Sequence, residues 1–368
     1  MDLSLMRQNI RGWLELLHAD LDSGRFRFCL KGNLVPIEEH SAHFTTIFAM
    51  RIAWCLGLWD EWPNDRKDAC IAFVKSFQGS KGYFSDPWLL STIRRPWKKY
   101  LGAMLGRAKL PQRLSVLREN ALKAETRQSA TTLAMVHEVP NHKLPTELTS
   151  RESIDTFFRS KDWTDPWSSC SHLSHQLTFL AINRAVYGES SNYDRLVDHI
   201  LFRLNEMRNP QTGGWYKGNP RPSIILNGAM KVFSGLQWID RPYPDCSKLL
   251  DFALEQPFNC HGCEYLNHLF VLFHCLKGTD ANDRAHDVLK VSAEAARLVP
   301  RFSRDDGAFS FYADRASSNY YGAKVSKGLA ESDLHGTMMV TWGLAVIEQI
   351  QRRLDGGPVK NQFSLFLN

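Results

Sequence analysis

The feature that most constrains the fold is a short turn of glycine and aromatic residues that recurs along the chain. Its clearest copies are residues 209–215, with Gly213-Gly214-Trp215, and residues 304–309. Two further copies lie at residues 22–28 and 79–84. Each is followed, directly or after an insertion, by a polar stretch that runs into an apolar segment. Similarity of this kind at a spacing of roughly fifty residues predicts a repeat architecture.

Six apolar segments with polar starts have the pattern of helices. They lie at residues 40–58, 127–135, 171–186, 227–236, 259–268 and 331–344, and amphipathic stretches lie between them. Strand signals are nearly absent, so we predict an all-α fold of six helix pairs. Such pairs form either an open solenoid or a closed ring. We favour the ring, an (α/α)6 toroid, because the polar helix starts would then surround a central cavity.

Linker signals do not divide the 368 residues, which favours a single domain over residues 1–368. The chain is 23% charged and has no long apolar run, so no transmembrane span is expected. Its start has no basic stretch followed by an apolar one, which favours a cytoplasmic location. The eight cysteines mostly lie in apolar segments, where free buried thiols are expected.

A basic insertion at about residues 88–125 interrupts the second repeat. It holds nine Lys or Arg residues against two Glu, and nine minus two gives +7, more than the +6 of the whole chain. Basic residues mixed with Trp, Leu and Ile suit a peripheral contact with an anionic membrane surface. A solvated hairpin and a site for a diphosphate or an anionic polysaccharide are alternatives. Nucleic acid is disfavoured because no recognition motif accompanies the charge.

The turn followed by a helix that ends in Gly343-Leu344 resembles the repeat of the terpenoid cyclase and protein prenyltransferase superfamily. At the level of architecture the resemblance covers most of the chain. It implies an α/α toroid and an isoprenoid-processing enzyme, a cyclase or prenyltransferase in the broad sense. The substrate would be small and hydrophobic, and aromatic walls of the central cavity would stabilise carbocations.

Cyclases of this superfamily that protonate an alkene need a protonated carboxylic acid, usually within an Asp-x-Asp-Asp run. This sequence has no such run. The pair Asp305-Asp306 belongs to the turn, where we expect it to cap a turn or helix. Asp333, which stands beside His335 at a predicted helix start, is either an N-cap or a catalytic residue.

The prenyltransferase branch binds zinc through an Asp-x-Cys pair and a His just before a Thr. His261-Gly262-Cys263 and His335-Gly336-Thr337 follow the same order, so the resemblance implies a zinc ion held by His261, Cys263 and His335. His261 stands where the family has a carboxylate. A Cys and a His followed by Gly also occur in the lanthionine cyclases, another zinc-binding α/α toroid. A buried thiol and a histidine at a helix start need no metal, and this alternative stays open.

Other polar residues recur at equivalent places near the helix starts. We predict His172 and His175, with Asp333 and His335, as acid-base residues. The predicted substrate-binding residues are His40, His43, Arg127, Asn227, Lys231, Glu264, His268, Trp215 and Tyr312. Glu125 belongs to the same set of helix-start residues.

The same ring of His, Asp and Glu suits sugar chemistry, because carboxylate pairs and Tyr, His and Arg sets supply acids and bases there. Tyr312, Arg315, Tyr320 and Tyr321 form such a candidate set. A carbohydrate-active lyase, hydrolase or epimerase on the same barrel is therefore the alternative function. A toroid that binds a partner without catalysis is the third.

Overall fold

The computed structural model describes residues 2–20, 23–37, 40–93, 114–188, 192–239, 241–278 and 284–355. Helices make up most of these residues, and their strands form two short antiparallel hairpins. The predicted all-α fold class is confirmed. None of the described helices combines the length and apolar character needed to cross a membrane.

The elements follow one another in this order. The described helices are α1 (Leu3–Leu17), α2 (His43–Cys55), α3 (Asn64–Ser76), α4 (Pro87–Thr92), α5 (Leu114–Met135), α6 (Arg151–Ser160), α7 (Pro166–Tyr187), α8 (Tyr193–Glu206), α9 (Pro222–Leu236), α10 (Ser247–Leu254), α11 (Gly262–Cys275), α12 (Ala285–Phe302) and α13 (Leu334–Leu354). The hairpins pair β1 (His18–Asp20) with β2 (Arg25–Phe26) and β3 (Asn319–Tyr320) with β4 (Ala323–Lys324).

The chain divides into two compact units. Unit 1 comprises residues 1–142 and 302–338, and unit 2 comprises residues 143–301 and 339–368. Of the predicted basic insertion, residues 88–92 lie in α4 and residues 114–125 in α5. Residues 94–113 lie outside the described residues, so the proposed membrane contact stays a prediction.

Helix α2 forms the centre of the core of unit 1, and all of its side chains are buried. It packs against α3, α5 and β2. A helix buried on every face has an almost wholly apolar sequence. Its longest polar side chains, His43 and Arg51, therefore need partners from neighbouring elements.

In unit 2 alternate helices pack in series: α7 contacts α9, and α9 contacts α11. Two glycines of α9 permit the approach of α7. A Cβ on Gly228 would lie 2.8 Å from Pro166 Cβ, and one on Gly235 would lie 3.1 Å from Ser174 Cα. The intervening helices pack beside this series, α8 on α7 and α10 on α11.

Two helices begin earlier than the sequence pattern indicates. Helix α7 begins at Pro166 instead of residue 171, because the Asp165 side chain accepts from Ser168 N and a proline is favourable in the first turn. His172 and His175 consequently lie inside the helix. Helix α5 begins at Leu114 instead of residue 127, so Glu125 and Arg127 also lie within a helix.

The recurring turn is confirmed as a structural repeat in its described residues. After the helix that precedes it, each copy closes a backbone bridge onto a buried aromatic residue: Phe26, Phe84, Trp215 or Phe309. Each copy also contains a glycine with positive φ: Gly24, Gly82, Gly213 or Gly307. Glycine adopts this left-handed backbone without steric cost, which is why the pattern is legible in the sequence.

A threonine of the following helix fastens two of these turns. Thr126 Oγ1 in α5 accepts from Phe84 N at 3.0 Å, and Thr337 Oγ1 in α13 accepts from Phe309 N at 3.2 Å. Both donors are buried, so the hydroxyl groups satisfy amides that water does not reach. Asp306 likewise accepts from the backbone N–H and hydroxyl of Ser332, so this turn is also tied to the residues that precede α13.

We expect Thr126→Val to lower the free energy of unfolding by about 1–3 kcal/mol, because a buried N–H would lose its acceptor while the side-chain shape is kept. Chemical denaturation measures this change. Thr156→Val is the matched control, since Thr156 is an exposed residue of α6, and its effect should stay within about 0.5 kcal/mol. Equal effects of the two substitutions would contradict the role given to Thr126.

All eight cysteines are free, and six of them are buried. The expectation of free, mostly buried thiols is confirmed. Cys260 and Cys263, which the sequence sets apart from the others, are the two that keep partial exposure.

Candidate active site

His43 lies at the centre of a buried polar cluster in unit 1. It is the first residue of α2, and its imidazole is fully buried. Nδ1 lies 3.5 Å from Asp86 Oδ2, and Nε2 lies 3.6 Å from Glu125 Oε2. Nε2 is also 3.1 Å from Ser129 Oγ. One imidazole therefore stands between two carboxyl groups, an arrangement that can carry a proton from one to the other.

Two helices, α4 and α5, bring the carboxyl groups to this imidazole. Asp86 is the N-cap of α4, where its Oδ1 accepts from Leu89 N at 3.0 Å. Glu125 lies in the middle of α5, which packs against both α2 and α4. The capping bond orients Asp86 and leaves its other oxygen, Oδ2, towards His43.

Glu125 receives a strong hydrogen bond from the β3–β4 hairpin. The Tyr320 hydroxyl donates to Glu125 Oε1 at 2.5 Å, and Gln128 Nε2 donates to the Tyr320 oxygen at 2.7 Å. Burial raises the pKa of Tyr320, so its hydroxyl keeps the proton that it donates. Oε1 is thereby engaged, whereas Oε2 is turned to His43.

Burial raises the pKa of Glu125 to about 7, although His43 and the Tyr320 hydrogen bond act in the opposite direction. Within the described part of the chain, no hydrogen bond reaches Glu125 Oε2, Asp86 Oδ2 or His43 Nδ1. Their contacts are the longer ones between the imidazole and the two carboxyl groups, at 3.5 and 3.6 Å, and buried polar atoms without a hydrogen bond cost stability. Such a cost is typical of groups kept for proton transfer or for a ligand.

A buried guanidinium lies near this cluster. Arg51 of α2 donates to Thr132 Oγ1 at 2.7 Å, to Thr131 Oγ1 at 2.6 Å and to Gln128 O at 3.1 Å. Burial lowers the pKa of Arg51 to about 10, so the group stays charged at neutral pH. Its positive charge acts against the rise in the pKa of Glu125.

Aromatic rings pack around the Tyr320 side of the cluster. The Tyr320 ring stacks on Phe44 at 4.6 Å between centroids and meets Phe48 edge-on at 5.5 Å. His335 stacks on Phe48 at 5.1 Å and on Phe311 at 4.5 Å. The predicted acid-base residue His335 therefore lies in an aromatic cluster beside Tyr320.

Asp333 has the environment of a structural carboxylate. Its Oδ2 accepts from Phe311 N at 2.8 Å and Ser317 N at 3.0 Å, and its Oδ1 accepts from Gly336 N at 2.8 Å. Burial raises the pKa of Asp333 to about 7, and these backbone donors oppose the rise. Both oxygens are occupied, which favours the capping alternative over proton donation.

Three predicted substrate-binding residues line one pocket of unit 2. Asn227 of α9 and Glu264 and His268 of α11 border a cavity of about 210 Å³. His268 stacks on Phe258 at 4.1 Å and lies within 2.7 Å of the Ala253 carbonyl oxygen. The structure therefore brings these three side chains to one pocket.

The other predicted residues lie in varied surroundings. In unit 1, His40 is exposed and Arg127 is half-buried. The Arg315 guanidinium carbon lies over the Tyr312 ring, 4.9 Å from its centroid. In unit 2, His172 and His175 approach each other edge-on at 6.1 Å, and Lys231 is a half-buried residue of α9. The Trp215 ring is buried in its turn and meets Phe233 edge-on.

The predicted zinc ligands belong to both units, His261 and Cys263 to unit 2 and His335 to unit 1. Burial raises the pKa of the Cys263 thiol to about 11 and lowers the pKa of His261. Among the residues that the structure describes, no group of three or more His, Cys, Asp or Glu is placed to hold a metal ion. The zinc site stays a prediction.

Sequence reasoning missed several members of the buried cluster. Asp86 carried a local signal, because Asp followed by Pro87 is typical of a helix start, but that signal indicates only a cap. Gln128, Ser129 and Arg51 carried none. Their roles depend on which side chains the folded chain places opposite them.

Comparison of the chain with protein-family models, with curated proteins and with solved structures finds no match.

Proposed function

We propose that this chain is an isoprenoid-processing enzyme that begins its reaction by protonating a carbon–carbon double bond, with Glu125 as the proton donor. The observation that carries the proposal is the buried carboxyl group of Glu125, whose pKa of about 7 keeps much of it protonated at neutral pH. A neutral carboxylic acid beside aromatic rings is what alkene protonation requires.

Each residue of the cluster has a separate role in the proton transfer. Tyr320 donates to Oε1, so the transferable proton is carried by Oε2, on the side of His43. When Oε2 gives its proton to the alkene carbon, the π electrons form the new C–H bond and a carbocation remains. His43, with Asp86 at its other nitrogen, then returns a proton to Glu125.

The aromatic cluster supports the cationic stage. Phe44 and Phe48 contact the Tyr320 ring, and Phe311 stacks on His335. The faces of such rings attract a cation by about 0.5–2 kcal/mol each. Loss of a proton from the cation to a neighbouring base would complete an isomerisation or cyclisation with no net consumption of protons.

A closed ring of helix pairs would enclose such a reaction. We propose that the helix pairs belong to a six-pair α/α toroid, supported by the four equivalent turns and by the α7, α9, α11 series. A cytoplasmic protein that takes its substrate from a membrane surface suits both proposals. The carbohydrate-active alternative rests on the same carboxyl groups, Asp86 and Glu125, and the experiment below distinguishes the two.

The test is incubation of the purified chain with squalene, farnesyl diphosphate and geranylgeranyl diphosphate in deuterated water, with products analysed by mass spectrometry. Protonation should place one solvent deuterium on a product carbon. Release of diphosphate without deuterium would indicate ionisation instead. Cleavage of acidic oligosaccharides, tested in parallel, would favour the carbohydrate alternative and overturn the proposal.

We expect Tyr320→Phe to lower the turnover rate by about 10–100-fold, because the hydroxyl that orients Glu125 is lost. The hydroxyl also lowers the pKa of Glu125, so the alkaline fall in activity should move to higher pH in the variant. The pH profile of kcat measures both effects. Tyr187→Phe, at an exposed tyrosine of unit 2, should change neither. An unchanged profile in Tyr320→Phe would contradict the proposed role.

A further inference from the structure

The pocket of unit 2 has a chemical character of its own. Its volume of about 210 Å³ corresponds to roughly seven water molecules. The wall combines the prolines Pro222 and Pro257 with the polar side chains of Ser223, Asn227, Glu264 and His268. The pocket is therefore small, partly apolar and supplied with several hydrogen-bonding groups.

Asn227 lines the pocket, and its amide group is held by Asn267. The side chain is 1% exposed, and its Oδ1 accepts from Asn267 Nδ2 at 2.6 Å. This bond fixes the orientation of the amide. Within the described residues, no hydrogen bond involves Asn227 Nδ2. A buried amide with two unused N–H groups at a cavity wall indicates a ligand that accepts hydrogen bonds.

Glu264 and His268 offer acceptors. Glu264 Oε2 accepts from Asn259 Nδ2 at 2.7 Å, and a carboxylate has room for further donors. His268 Nε2 must be the protonated nitrogen, because its partner at 2.7 Å is the Ala253 carbonyl oxygen, which can only accept. Burial lowers the pKa of His268 to about 4, so the ring is neutral and its Nδ1 is an acceptor.

Because donors and acceptors lie on one small wall, the pocket favours a ligand that both accepts and donates hydrogen bonds. An ammonium ion would supply no acceptor for the Asn227 N–H groups, and an anion would be repelled by the Glu264 carboxylate. Hydroxyl groups donate and accept at once, and the C–H face of a ring packs well on proline. We propose that this pocket binds a small neutral polyol, of the size of a monosaccharide or cyclitol. This inference goes beyond the proposed function and does not depend on it.

The test is ligand binding by the full chain, measured by saturation-transfer NMR and calorimetry with D-glucose, D-galactose, myo-inositol and methyl glucoside. Acetate and ethanolamine serve as charged controls. We expect at least one polyol to bind saturably with a Kd below about 10 mM. Neither charged control should bind. Binding of methyl glucoside would show that a glycosyl group of a larger molecule is accepted as well.

Two substitutions connect such binding to the pocket. Asn227→Asp replaces the N–H donors but keeps the acceptor for Asn267, and Glu264→Gln keeps the shape but removes the charge. Each should weaken polyol binding by about tenfold or more. Asp251→Asn, in the same unit but outside this pocket, should leave it unchanged. Circular dichroism checks folding, and if Asn227→Asp does not fold, Ser223→Ala replaces it.

Three outcomes would overturn the proposal: no saturable polyol binding, tighter binding of acetate or ethanolamine, or polyol affinity that is unchanged in the pocket variants. Glu125→Gln should retain the polyol binding of the wild type. A failure of the proposed alkene chemistry is therefore distinguishable from a failure of this pocket.

Discussion

Glu125→Gln is expected to abolish most of the alkene turnover and at the same time to stabilise the protein at alkaline pH. The activity should fall on the order of a thousandfold, because an amide cannot donate the proton that starts the reaction. Shape and the Tyr320 hydrogen bond are preserved, so folding should be intact. Single-turnover rates with the substrate that the wild type accepts measure the loss.

The stability effect follows from the pKa of Glu125, which burial raises from 4.5 to about 7. Between these values the folded chain keeps a proton that the unfolded chain has released. The contribution of Glu125 to wild-type stability therefore falls as pH rises through this window and is level above it. The full difference is about 3 kcal/mol. Glu125→Gln should therefore raise the free energy of unfolding by this amount at pH 8 and leave it unchanged at pH 4.

Chemical denaturation of both proteins across this pH range provides the measurement. Asp333, whose pKa burial also raises to about 7, contributes the same trend to both proteins and cancels in the comparison. A variant that is less stable than the wild type at pH 8 would mean that Glu125 is ionised and favourably paired in the fold. Its role as a proton donor would then be untenable.

Gly336→Ala is expected to destabilise unit 1 by about 3–5 kcal/mol, or to prevent folding. A Cβ at this position would lie 2.2 Å from Phe311 N and 2.3 Å from Ser310 C. Backbone atoms cannot move away as a flexible side chain does. The backbone at Phe311 would shift, and the hydrogen bond from Phe311 N to Asp333 would be lost.

Gly12→Ala is the matched control. Gly12 is an exposed residue inside α1, and no heavy atom lies within 4 Å of a Cβ added there. Alanine has the higher helix propensity, so the substitution should stabilise by about 0.5–1 kcal/mol. Urea unfolding of both variants measures the contrast. A cost below about 1 kcal/mol for Gly336→Ala would show that α13 tolerates a wider separation from Phe311.

The sequence predicted a candidate residue's role best where the hydrogen-bond partners of that residue lie close to it in the sequence. Asp333 was predicted as either an N-cap or a catalytic residue, and its hydrogen bond from Gly336 N, three residues on, favours the N-cap. His43 was predicted as a substrate-binding residue and Glu125 as a polar residue near a helix start. Their special geometry arises because Asp86 and Tyr320 come from other parts of the chain.

Local chemistry determined the helical class and the turns. A glycine with positive φ, a buried aromatic residue and a preceding helix are encoded within windows of about ten residues, as at Gly213 and Trp215. Tertiary structure alone decided which carboxyl group is satisfied and which is not. Asp333 meets three backbone N–H groups, whereas Glu125 Oε2 meets the His43 imidazole in a site closed to water. The pKa of a buried acid depends on those distant partners and on desolvation, neither of which a sequence pattern contains.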